Sequence, residues 1–99
     1  MAALDTIFSR IYSKNMVFLA LTRSGLDEAI ALNENAGGAI WCGCDVITEY
    51  EFSGLNGRNI SRFNFALFGA DNEIFSGALA TIADHHPNER VWIESVSQL

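Results

Sequence analysis

Thr22, Arg23, Ser24 and Gly25 stand together where an apolar run ends and a helical pattern begins. Two hydroxyls, a guanidinium and a glycine that admits close approach are the ingredients of an anion site. At a helix start they sit beside N–H groups that have no intrahelical partner, so a phosphate or carboxylate is the ligand such a turn would take. The glycine-rich fingerprint of dinucleotide sites and the lysine of a P-loop are both missing. Asp27 and Glu28, just downstream, oppose an anion. The competing reading is that Ser24 caps the helix, with Asp27 three residues on in a capping-box-like position.

Cys42, Cys44, His85 and His86 would supply the ligand count of a tetrahedral zinc site. Their spacing speaks against it. Cysteines two apart on a strand lie side by side, and adjacent histidines on a helix point about 100° apart. The cysteines read instead as small buried hydrophobes, and the histidines as cations at a helix carboxyl end. A reactive thiol pair has two intervening residues and opens a helix, which this pair does not. Neither a metal nor a cofactor is expected.

The acids Asp45, Glu49, Glu51, Asp71 and Glu73 form no acid/base pair, and no serine lies in a Gly-x-Ser-x-Gly elbow. No catalytic residue is assigned, and the reading leans away from an enzyme. A different kind of site is suggested by Tyr50, Arg62, Asn64, Phe68 and Trp92. If these share one partly exposed sheet face, they are the residue types that anchor protein interfaces.

The elements that must position these residues follow from periodicity. Leu4, Ile7, Phe8, Ile11 and Tyr12 make an amphipathic stripe, which predicts a helix over residues 3–13. Met16 to Leu21 is apolar throughout and predicts a strand buried on both faces. The strand feeds a helix that Asn35–Gly38 stops, and 39–44 reads as the next strand. Residues 45–60 admit two readings. Thr48-Glu49-Tyr50-Glu51 is a capping box flanked by a hydrophobic staple, Ile47 and Phe52, which favours a short helix over 49–55. Alternation with Asn56-Gly57 favours a hairpin. Residues 60–68 then alternate as an edge strand, with Phe63, Phe65 and Leu67 on one side. Asp71 caps a helix that Pro87 ends, and 90–96 is the last strand.

The expected fold is therefore one compact α/β domain over residues 1–99, a small four-stranded sheet with helices packed on it. The hairpin reading would make it an α+β ferredoxin-like βαββαβ sandwich with an extra N-terminal helix. A net charge of −6 argues against nucleic acid and against anionic membrane surfaces. The first residues do not read as a signal peptide and no apolar stretch spans a bilayer, so a reducing cytoplasmic location is expected. Only 18% of the residues are charged, which leaves apolar surface for a contact. The functional expectation is a small acidic protein-binding or regulatory module, acting on a protein partner or on itself as a homodimer. The alternative is a small-molecule or anion-binding domain with its site at Thr22–Gly25.

Overall fold

The computed structural model describes residues 16–34, 37–55 and 58–96, and the helix expected over 3–13 lies outside them. In chain order the elements are β1 (Met16–Ala20), α1 (Arg23–Asn33), β2 (Ala39–Cys42), α2 (Glu49–Ser53), β3 (Ile60–Arg62), α3 (Asn72–His85) and β4 (Arg90–Ile93). The strands form one four-stranded sheet in the order β3-β2-β1-β4, and every pairing is parallel. This is the small α/β architecture expected. The hairpin alternative fails because β2 and β3 run parallel, and parallel neighbours need a crossover, here built around α2.

Strand order explains the unbroken apolar run of β1. The chain steps outward from β1 to β2 to β3, then returns past β1 to lay down β4. Crossovers of one hand made in opposite directions cover opposite faces. Val17, Leu19, Ala39 and Trp41 pack with Ala78 and Ile82 of α3, together with Phe63 and Leu67. Ala20, Ile40 and Cys42 pack with Leu26 and Ala29 of α1 and with Val46 and Ile47, and Phe52 of α2 closes that cluster. A strand flanked on both sides and covered on both faces has no solvent side to carry polar residues.

Three helix starts are chemically defined, and one differs from expectation. Thr48 and Glu51 form the expected capping box of α2, and Asp71 caps α3 through Ile74 N–H. The N-cap of α1 is Thr22, not Ser24. Thr22 is extended, and its Oγ1 accepts from Gly25 N–H at 3.0 Å, so the helix begins at Arg23.

The strand expected over 60–68 ends at Arg62. Its partner β2 also stops, at Cys42 rather than 44, and a Cβ on Gly43 just beyond would lie 2.9 Å from Leu67 N. The chain after β3 stays beside the residues that follow β2, with Phe63 N–H on Cys42 O and Cys44 N–H on Phe65 O, but the ladder is no longer regular. Phe63 and Leu67 are buried from this loop, and Phe65 stacks on Phe63 with ring centroids 5.0 Å apart. The alternation of apolar side chains is real, but a loop delivers it. β4 likewise ends at Ile93, short of 96: its last pairing is Ile93 with Leu19, and beyond it the Leu21 N–H goes to the Glu94 side chain instead of to backbone.

Candidate functional site

In a sheet of this order, the crossovers leave β1 and approach β4 in opposite directions, so a crevice opens outside their carboxyl ends. Thr22–Gly25 follows the carboxyl end of β1 and opens α1. Its donors are already engaged. Leu21 N–H and Thr22 N–H donate to Glu94 Oε1 at 2.7 and 2.9 Å, and Thr22 Oγ1 donates to Glu94 Oε2 at 2.6 Å. The turn thus holds an anion, and the anion is the chain's own carboxylate, delivered from the residue after β4.

Thr22 uses its hydroxyl twice, as donor to Glu94 and as acceptor from Gly25 N–H. Gly25 contributes by lacking a side chain, since a Cβ there would stand 2.0–2.6 Å from the Glu94 carboxylate. The other two residues of the turn are engaged elsewhere. Ser24 is exposed, with Oγ 3.4 Å from Thr22 Oγ1. Arg23 reaches along the outside of the helix, with Nε on Asp27 Oδ1 at 3.2 Å and Nη1 on Glu51 Oε2 at 2.7 Å. That bond to Arg23, helped by the Thr48 backbone N–H, holds the Glu51 carboxyl below its usual range.

On the α3 side of the same sheet end lies an open crevice of about 330 Å³, walled mainly by Leu21, Leu67, Phe68, Phe75 and Val96. Gly69, at φ +75°, turns the loop that forms its rim. Glu94 was not singled out from sequence. The available signal was a glycine in the first turn of α1, where it weakens the helix and is explained by something approaching closely.

The five interface candidates are not brought together in one patch. Arg62 on β3 and Trp92 on β4 project to the same side of the sheet, the side covered by α1, but from its two opposite edges among the described strands. Tyr50 projects from α2 and is 87% exposed, while Asn64 and Phe68 are exposed on the β3–α3 loop. Arg62 is a clamp. Its side chain is only 13% exposed, and it donates from Nε to Ile47 O at 2.8 Å and from Nη2 to Cys44 O at 3.2 Å. The guanidinium thereby satisfies two carbonyls of the β2–α2 loop, which have no sheet partner.

Cys42 faces α1, whereas His86 bonds Trp41 on the α3 side of the sheet, so the four zinc-type residues are divided between two faces. No group of three or more His, Cys, Asp or Glu side chains able to hold a metal ion occurs among the described residues. Burial pushes the Cys42 thiol up to about 11, which keeps it protonated and unreactive at neutral pH. Among the described residues no helix is long and apolar enough to cross a membrane. The chain matches no protein-family model, no curated protein and no solved structure.

Proposed function

We propose that this is a small binding module that acts through contact with another protein chain, with β4 as its contact strand and a second copy as the first partner to test. The observation that carries the reading is the state of β4. Trp92 is 44% and Ile93 43% exposed, although they project to opposite faces, paired with Phe18 and Leu19 of β1. Strands of parallel sheets are ordinarily covered on both faces. Among the described residues β4 is also an edge strand, and an edge with exposed apolar side chains is a template for another chain. The filled turn at Thr22–Gly25 supports the same reading, because the donors that would have taken an anionic ligand are spent on Glu94. The two cysteines are free, which accords with a reducing, cytoplasmic setting.

Sedimentation velocity over a concentration series tests this directly. The unmodified protein is expected to sediment faster as its concentration rises, and a Trp92→Ser, Ile93→Ser double variant to stay monomeric. An unmodified protein that remains monomeric across the series removes the second copy as partner.

The crevice between β1 and α3 favours a second reading, a small-molecule site at the carboxyl ends of the strands. Its volume is at the low end for such sites, and its lining is neutral, so the ligand would be a small uncharged or weakly polar molecule. A thermal-shift panel of such compounds should then find one whose stabilisation disappears in a Phe68→Arg variant, which blocks the rim.

A further inference from the structure

We infer that His86 is a proton-operated latch that fastens the carboxyl end of α3 to β2 through the indole of Trp41. Trp41 lies in the middle of the α3-side core, 8% exposed, with its ring 5.1 Å from that of Phe63. Its Nε1–H is a donor that can never accept, and it donates to His86 Nε2 at 3.2 Å. That bond requires a lone pair on Nε2. The proton of the neutral ring therefore sits on Nδ1, where it is donated to Glu89 Oε2 at 2.5 Å. His86 is held in place from its backbone as well, since its N–H donates to Ile82 O at 2.9 Å as the cap of α3.

Adding a proton to His86 places N–H against N–H. The imidazolium keeps Glu89 as an ion partner, but the indole N–H of Trp41, a residue only 8% exposed, loses its acceptor at a part-buried contact. An unsatisfied buried donor is strongly disfavoured, so the indole and the end of α3 must part. The groups around the latch are Glu89 from the α3–β4 connection, His85 from the last turn of α3, and the aromatic pair Trp41 and Phe63. His85 meets Trp41 edge-on at 5.3 Å, but its ring Nδ1 bonds Thr81 O at 2.9 Å. A carbonyl can only accept, so His85 already carries its proton at Nδ1. A second proton on His85 Nε2 breaks neither of these contacts. The two adjacent histidines therefore differ, and only His86 is wired to the indole.

Trp41 and Trp92 are the only tryptophans, so a Trp92→Phe background leaves Trp41 as the sole indole. In that background the indole N–H resonance of Trp41 should shift through one step on acidification, because a proton on His86 Nε2 removes the acceptor of that N–H. His86→Gln should abolish the step and His85→Gln should keep it. A step that survives His86→Gln, one that vanishes with His85→Gln, or an indole resonance that does not move on acidification with both histidines present overturns the assignment.

Discussion

The carboxylate of Glu94 stands where a side chain on Gly25 would have to be: a Cβ on Gly25 would lie 2.0 Å from Glu94 Oε1 and 2.6 Å from Oε2. Glycine in a helix ordinarily costs up to about 1 kcal/mol against alanine. Here Gly25→Ala should instead destabilise by about 1–3 kcal/mol, because the added methyl group drives the carboxylate off its bonds to Leu21, Thr22 and the Thr22 hydroxyl. In a Glu94→Ala background the same substitution should be neutral or stabilising. Urea unfolding of the two single variants and the double variant measures the difference as a coupling free energy. Additive losses would show that the two residues do not communicate.

Arg62 serves the fold, and this separates it from Trp92. Removing its guanidinium in Arg62→Ala leaves the Ile47 and Cys44 carbonyls without their charged donor and should cost about 2–3 kcal/mol. Arg62→Lys should recover only part of that, since an ammonium cannot fork to two carbonyls as a guanidinium does. Neither substitution should alter self-association, because β3 and β4 are opposite edges. Chemical denaturation and sedimentation of the same samples report the two properties independently.

Cys42 should be silent to thiol reagents in the native protein at neutral pH. It is fully buried, and burial raises its thiol to about 11. Titration with an aromatic disulfide should consume the Cys42 equivalent only on unfolding. The same shift sets a sign for alkaline stability. The folded value lies above the unfolded value of 9.0, so the unfolded chain releases its proton first. Stability is unaffected by this group below about pH 9 and is lost between about 9 and 11. Cys42→Ala should flatten that part of the stability–pH curve.

Local signals in this chain read through to structure, and long-range ones did not. The apolar run Met16–Leu21, the box Thr48–Glu51 and the cap Asp71 each depend on a few neighbouring residues, and each forms the element they imply. Of the alternating Phe63, Phe65 and Leu67 the first and last are buried and Phe65 is exposed, and a loop, not the expected strand, carries them. The Thr22–Gly25 turn reads as a place for an outside anion, yet Leu21 N–H, Thr22 N–H and Thr22 Oγ1 bond Glu94, 73 positions from Leu21. No window along the sequence contains both. The strand order that brings them together also parts Arg62 from Trp92.

The pair Arg23–Glu51 links α1 to α2 on the surface, and it sets the acid behaviour of that link. The Glu51 carboxyl is held below its ordinary value, first by the hydrogen bond from Arg23 and then by the Thr48 backbone N–H. A folded value below the unfolded one means that Glu51 contributes stability above the unfolded value, and that the contribution is lost as pH falls through the lower folded value. The helix cap and the bridge should therefore fail together on acidification, because both depend on the same ionised carboxylate. Carboxyl-carbon NMR should show Glu51 titrating at a lower pH in the unmodified protein than in Arg23→Gln, where only the Thr48 contacts remain. Added salt should move the unmodified protein part of the way toward the variant, since both partners are exposed and their Coulomb attraction is screened while the hydrogen bond persists. Equal titration in the two proteins would show that Arg23 does not hold Glu51 in solution.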